Sequence, residues 1–200
     1  MTVLGADELT TEPFLLFQQW FEEAQKSEIN DPDAIALASV DKDGMPSVRM
    51  VLLKEILPEG FVFYTNYTSR KSGELIVTGK AAFVIHWKSL RRQIRVTGSV
   101  EKVPHIQSDA YYQTRSRGSR IGAWASQQSQ PLQTRAELAR AVSKMEQAYP
   151  DNVPRPPHWG GFLIRPREIE FWADGEFRLH DRFRFTQDTG GEWVSQRLYP

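Results

Sequence analysis

The chain has 200 residues, 25 Lys and Arg against 25 Asp and Glu, 40% hydrophobic residues and no cysteine, which fits one domain with a sizeable core rather than two independent ones. Without thiols, disulfides, thiolate catalysis and cysteine-ligated metals are excluded, and His86, His105, His158 and His180 show no zinc-ligand spacing. No window approaches the roughly 18 apolar residues of a membrane span, and Met1 to Thr11 lacks a secretory signal pattern, so a cytoplasmic protein is expected.

Glu12 to Lys26 carries Phe14, Phe17, Trp20 and Phe21 at three- and four-residue spacing, which predicts an amphipathic helix with an aromatic core face. Ala34–Val40, the turn Asp41-Lys42-Asp43-Gly44 and Pro46–Leu53 predict a β-hairpin, and Phe61–Thr65 a third strand. Thr68 or Ser69 caps a short helix through Glu74 to Val77 that Gly79 ends. Ala81–Trp87 and Gln93–Val100 are β-rich and joined by the basic segment Lys88–Arg92; Ile106–Thr114 and Thr134–Ala148 read as helices. After the Pro-rich break at Val153–Pro157, strands are expected at Gly161–Ile164, Ile169–Trp172, Arg182–Thr186 and Trp193–Leu198. Strands arriving as consecutive hairpins predict a mainly β fold, an antiparallel barrel with peripheral helices. Residues 1–200 form one domain on this reading, with an N-terminal segment and helix over 1–30 and the barrel over 31–200.

Neutral overall, the chain is locally basic: residues 86–120 hold eight Lys and Arg against two acids. Such a patch suits nucleic acid or a small phosphorylated ligand, and zero net charge favours the small ligand. Neither GxGxxG nor GxxxxGK[ST] is present, so a phosphate must be held by side chains and scattered amides. Tyr111, Arg115 and Ser119 recur every four residues, so on one continuous helix they line a face suited to clamping a monophosphate; a solvated helix face explains the same pattern. Arg49 and Lys54 fall on opposite faces of one strand, where they serve two anions or mark the wet ends of a barrel strand. Arg178, His180 and Arg182, beside Trp172, project from one side of an extended segment, either towards an anion or as a charged edge strand. The amides of Gln127, Gln128 and Gln130 and the rings of Trp124, Trp159 and Trp172 suit a flat heteroaromatic ligand, although a tryptophan serves equally as core. No nucleophile elbow or carboxylate pair stands out, so the inventory suits a cofactor that brings its own reactivity.

Eight blocks, Arg49-Met-Val-Leu-Leu-Lys54, Phe61-Val-Phe-Tyr-Thr-Asn66, Ser69-Arg-Lys71, Arg91-Arg-Gln-Ile-Arg95, Ser119-Arg-Ile-Gly-Ala-Trp-Ala-Ser126, Gln128-Ser129, Pro157-His-Trp-Gly-Gly161 and Arg178-Leu-His-Asp-Arg182, occur in order before a terminal Arg197-Leu-Tyr-Pro200. Together they closely resemble the pyridoxine 5′-phosphate oxidase family. The resemblance implies a homodimeric split β-barrel that binds FMN at the subunit interface. It also implies oxidation of pyridoxine 5′-phosphate or pyridoxamine 5′-phosphate to pyridoxal 5′-phosphate, with O2 as acceptor and H2O2 as by-product, in vitamin B6 biosynthesis and salvage. Carried over by position, Arg49, Arg70 and Lys71 fall to the FMN phosphate region. The backbone of Met50, Val51, Leu52 and Leu53, with Lys54, borders the flavin, and Tyr64, Thr65, Gln93, Gln128, Ser129, Trp172 and Arg182 are further FMN contacts. Lys54, Tyr111, Arg115 and Ser119 fall to the substrate phosphate, and Arg178, Leu179 and His180 to the substrate ring, with Arg178 and His180 in the catalytic positions. No metal, nucleic acid or membrane is implied. Thr2 to Pro13 lacks the Lys and Arg of the basic N-terminal segment found in many relatives. An FMN-binding split barrel without this oxidase activity is the rival reading, which leaves the substrate residues without a purpose.

Overall fold

The computed structural model describes residues 12–200; the expectations for residues 1–11 lie outside them. Helix α1 (Pro13–Ser27) starts where the Glu12 carboxylate accepts hydrogen bonds from the amides of Phe14 and Leu15 at 2.9 and 3.1 Å. Strands β1 (Ala34–Val40), β2 (Pro46–Leu57) and β3 (Gly60–Asn66) follow as antiparallel neighbours. Helix α2 (Arg70–Thr78) stops at Gly79, whose φ of 62° is the left-handed C-terminal cap that glycine adopts at low cost. Then come β4 (Lys80–Trp87), β5 (Arg92–Lys102), helices α3 (His105–Thr114), α4 (Arg117–Ala125) and α5 (Arg135–Ala148), and strands β6 (Trp159–Ala173), β7 (Asp181–Gln187) and β8 (Trp193–Leu198).

The sheet order is β3-β2-β1-β4-β5-β6-β7-β8, and β3 also pairs with β6. Six antiparallel strands therefore close into a barrel, from which β7 and β8 extend. The strand β6 makes both connections: Trp159 to Ile164 pairs with β3, and Glu168 to Ala173 pairs with β7. The two strands expected at Gly161–Ile164 and Ile169–Trp172 are thus one strand of 15 residues. Pro166, between the two expected spans, sits at a register shift opposite Gly98, where the ladder is already interrupted. Gly98 has no alternative there, because a Cβ would lie 2.0 Å from the Arg165 carbonyl oxygen.

Helix α1 packs its aromatic face onto the barrel core. Phe17 meets Phe61 at 4.8 Å between centroids, and Trp20 stands edge-on to Phe171 at 5.2 Å. Phe17, Phe61, Phe63, Phe171 and Phe183 are fully buried, each contributing about 1.5–3 kcal/mol of apolar burial. Among the described residues no helix is long and apolar enough to cross a membrane.

Candidate functional site

A cavity of about 640 Å³ opens between β2, β3, the start of α2 and the α3–α4 junction. Among the described residues three cations line it, Lys54, Lys71 and Arg115, and no carboxylate does. Lys54 gets there through the sheet: the β2–β3 register shifts between Leu53 and Glu55, leaving Lys54 as the extra residue of a bulge. Its Nζ is held by Asp33 Oδ2 at 2.6 Å. Lys71 is nearly buried, and its Nζ donates to Gln128 Oε1 at 2.8 Å and Ser69 Oγ at 3.2 Å. Burial first, and the nearby Arg49 charge second, bring its pKa down to about 8. Thr65 Oγ1 donates to the same Gln128 oxygen at 3.2 Å.

Behind Lys71, the Arg49 guanidinium turns towards buried Glu74, donating to the hydroxyls of Ser39 and Ser47 and lying 3.3 Å from the carboxylate. Arg70 Nε reaches the other Glu74 oxygen at 2.8 Å. Burial would raise the Glu74 pKa, but hydrogen bonds from Ser39, Ser47 and Arg70 and the charge of Arg49 outweigh it and hold the group at about 2.

The opposite wall is aromatic. Tyr64 lies flat on Tyr111, with ring centroids 3.9 Å apart and an interplanar angle of 10°, and parallel to Trp159 at 5.5 Å. Gly161 permits this arrangement, since a Cβ on it would come within 2.8 Å of the Tyr64 ring. Arg115 covers Trp159 at 4.6 Å. Its Nη1 is buried with no hydrogen-bond partner among the described residues, and burial lowers its pKa. An unpaired buried guanidinium N–H is costly unless an acceptor arrives from outside the chain.

Tyr111, Arg115 and Ser119 do converge on this cavity, but not along one helix. Helix α3 ends at Thr114, Arg115 is extended at φ −74° and ψ 148°, and Ser116 begins α4 by accepting from the Ser119 amide. The corner between the two helices, rather than a four-residue repeat, aims the three side chains.

A second cluster lies elsewhere on the barrel. Gln93, Trp172 and Arg182 are consecutive cross-strand partners on β5, β6 and β7. Arg182 is clasped by Glu170, with Nε to Oε1 at 3.0 Å, and also donates to the Tyr199 carbonyl. The expected alternation of Arg178, His180 and Arg182 along one strand does not occur, because β7 starts only at Asp181. Residues Glu176–Arg178 form a 3₁₀ turn in which Phe177 and Arg178 take φ of 56° and 65°. The loop closes so tightly that a Cβ on Gly175 would sit 2.0 Å from the Leu179 carbonyl oxygen. His180 lies against Trp172 with ring centroids 4.6 Å apart and the planes tilted by 44°, and its Nδ1 accepts from the Gly175 amide at 3.2 Å beside Asp174. Arg178 and Leu179 are exposed. Trp159, which lines the cavity, and Trp172 lie thirteen residues apart on β6, up to about 40 Å of extended strand.

Of the expected site residues, Met50, Val51, Leu52, Lys54, Tyr64, Thr65, Lys71, Gln128, Tyr111, Arg115 and Ser119 line the cavity. Leu53 is buried core, Arg49 and Arg70 face Glu74, and Ser129, at φ 72°, lines a neighbouring hollow against α5. Gln93, Trp172, Arg178, Leu179, His180 and Arg182 make up the distant cluster. Trp159 is the ring, of the three tryptophans considered, that lines the cavity; Trp124 instead packs on Tyr149 and donates to Pro154. The bracing acids Asp33, Glu74 and Glu170, and the lining Asn66, were not foreseen from the sequence.

Residues 21–149 match the family model described as pyridoxamine 5′-phosphate oxidase, and residues 159–200 match the model of the pyridoxine 5′-phosphate oxidase C-terminal dimerisation region. A curated protein of Bartonella henselae named pyridoxine/pyridoxamine 5′-phosphate oxidase is 58% identical over 191 residues, covering 94% of this chain and 92% of that protein. One of the same name from Brucella canis is 57% identical over 200 residues, 98% of each. Among solved structures, PhzG from Burkholderia lata, in complex with tetrahydrophenazine-1-carboxylic acid, superposes with a TM-score of 0.93 at 33% identity, covering 100% of this chain and 99% of that one. An FMN-binding protein from Nostoc punctiforme shares the fold, with a TM-score of 0.77 at 17% identity, covering 96% of this chain and 100% of that one.

Proposed function

The chain belongs to the pyridoxine/pyridoxamine 5′-phosphate oxidase family, and from that premise we propose how its two separated clusters form one active site. The protein is an FMN-dependent oxidase that converts pyridoxine 5′-phosphate or pyridoxamine 5′-phosphate to pyridoxal 5′-phosphate. The observation that carries the proposal is the cavity with three cations, no carboxylate and an unpaired buried Arg115 N–H. Such a donor set fits phosphate esters. Both FMN and the substrate carry one.

In this reading each site is built by two protomers. Residues 159–200, the matched dimerisation region, contain Trp172, Arg178, His180 and Arg182. On β2, Val48, Met50 and Leu52, the last two at the cavity itself, are exposed, apolar surface that a second copy would cover. A homodimer brings the cavity of one protomer against the Trp172 cluster of its partner. The matched segments also share one barrel, since β6 in the second pairs with β3 and β5 in the first, which supports a single domain.

FMN held there would supply the redox chemistry, the two-electron oxidation of substrate C4′ coupled to reduction of O2 to H2O2. The chain's residues bind and orient. Lys71, with Arg49 and Arg70 behind it, holds the FMN phosphate, while Thr65, Gln128 and Ser129, with Gln93, Trp172 and Arg182 of the partner subunit, hold the rest of the cofactor. Lys54, Tyr111, Arg115 and Ser119 hold the substrate phosphate. Arg178 and His180 of the partner subunit cover the substrate ring. Fixed placement of C4′ is where a rate advantage of several kcal/mol arises. We retain the cytoplasmic location as part of this proposal.

The direct test is to purify the protein, record a flavin spectrum and follow aldehyde and peroxide formation from pyridoxine 5′-phosphate in air. Flavin absorbance with stoichiometric peroxide is expected; a yellow protein that turns over neither substrate would contradict the oxidase assignment. A second expectation concerns pH. Lys71 has its folded pKa lowered to about 8, so its charge is fully present well below that pH and lost above it. FMN affinity should then weaken as pH rises through 8, by up to about tenfold per unit until the pKa in the complex is reached. Burying the charged lysine opposes folding at low pH, and the penalty is relieved between pH 8 and the ordinary lysine pKa. Titration of apoprotein with FMN at several pH values reads the first effect, and Lys71→Arg should flatten it.

A further inference from the structure

Glu55 does not line the cavity, yet both of its carboxylate oxygens are bound to residues that shape it. Oε1 accepts from the Tyr64 hydroxyl, and Oε2 accepts from Gln107 Nε2 at 2.8 Å. Tyr64 is the ring against which Tyr111 stacks. Gln107 lies four residues before Tyr111 on α3, and therefore on the same side of that helix. Glu55 also follows Lys54 directly at the β2 bulge. One carboxylate thus ties the strand that delivers Lys54 to the ring beneath Tyr111 and to the helix that leads into Arg115.

We propose that Glu55 is a positioning residue for the substrate: by gripping Tyr64 and Gln107 together it fixes the distance between Lys54 on β2 and the Tyr111–Arg115 end of α3, and so the width of the phosphate cradle. This rests on the reading that Tyr111 and Arg115 hold the substrate phosphate. The residue type follows from its partners. A tyrosine hydroxyl and an amide NH2 both donate, and an ionised carboxylate accepts at both oxygens, whereas an amide offers one acceptor and one donor. Burial, and then the bond to Glu55, keep the Tyr64 hydroxyl protonated, so it stays the donor across the working pH range. Glu55 lies outside the cavity lining, so it does not meet the reacting atoms. Its effect is on geometry, and it should fall on substrate affinity rather than on the chemical step.

The test uses FMN-loaded Glu55→Ala, Glu55→Gln and Gln107→Ala, with Arg115→Ala as the control. KM and kcat are measured with pyridoxine 5′-phosphate, and the dissociation constant with pyridoxal 5′-phosphate. Glu55→Ala should raise KM and the dissociation constant roughly three- to tenfold, with kcat within about twofold of wild type, the size expected for losing charge-assisted hydrogen bonds. Glu55→Gln should recover most of that loss, because the Gln107 amide can turn to present its oxygen. Gln107→Ala, which removes only one arm, should move KM in the same direction by less, and it decides the matter if Glu55→Ala does not fold. Unchanged KM in both alanine variants overturns the proposal, as does a Gln variant as impaired as the Ala variant. If Arg115→Ala leaves KM unchanged, the phosphate reading itself has failed. If Arg115→Ala raises KM while Glu55→Ala does not, only the role of Glu55 has failed.

Discussion

Replacing Arg115 with alanine is expected to raise KM for pyridoxine 5′-phosphate on the order of 100-fold, the loss of charge-assisted bonds to a phosphate in a partly desolvated site. FMN should remain bound, because the residues read as holding its phosphate, Lys71 with Arg49 and Arg70, are separate from Arg115. Stability should change little. Arg115 keeps Nη1 buried without a partner among the described residues, and burial lowers its pKa, so its removal relieves an unpaired donor while forfeiting the contact over Trp159. A raised KM with an unchanged melting temperature is the signature of a group held strained for its ligand. A structural arginine would show the reverse. Kinetics and thermal denaturation of the same preparation separate the two, and an unaltered KM would take Arg115 out of the substrate site.

The hairpin strands were legible because their period-two pattern and turn residues act locally: Ala34–Val40, Phe61–Thr65 and Trp193–Leu198 all lie within observed strands. Long-range pairing overrode local signals elsewhere. The strands expected at Gly161–Ile164 and Ile169–Trp172 are one strand, because Pro166 between them falls where the β5–β6 register already shifts at Gly98. The Tyr111–Arg115–Ser119 grouping was found for an incomplete reason. Ser116 is a ready helix N-cap that a four-residue count passes over, and the corner it creates is what turns Arg115 inward. In the segment 178–182, Gly175 lets the loop fold back on Leu179, so alternation begins at Asp181 and not at Arg178. The acids that brace the cations, Asp33, Glu74 and Glu170, lie from 12 to 25 residues away in sequence from Lys54, Arg49 and Arg182, and Glu55 meets Gln107 across 52. Neither local pattern nor composition records such partners.

The separation of the two clusters has the widest consequence. Within one protomer the cavity, with Trp159, and the Trp172–Arg182 cluster lie at opposite ends of the 15-residue strand β6, so in the proposed site a ligand that meets both lies between two protomers. Arg178, exposed on a closed loop inside the dimerisation region, then acts on the substrate held by the other subunit. Arg178→Ala alone should lower kcat/KM by at least about tenfold through lost placement of the ring, with FMN retained. Arg115→Ala alone should lower it further.

Combining the two defects tests the account most directly. When Arg115→Ala and Arg178→Ala chains are co-expressed, about half the dimers are hybrids, and each hybrid has one site carrying both lesions and one carrying neither. Activity measured on the mixture should therefore return to about a quarter of the wild-type value, well above either variant alone. Activity no greater than the average of the two separate variants would mean that Arg115 and Arg178 serve the same site from the same chain, and would contradict the shared active site.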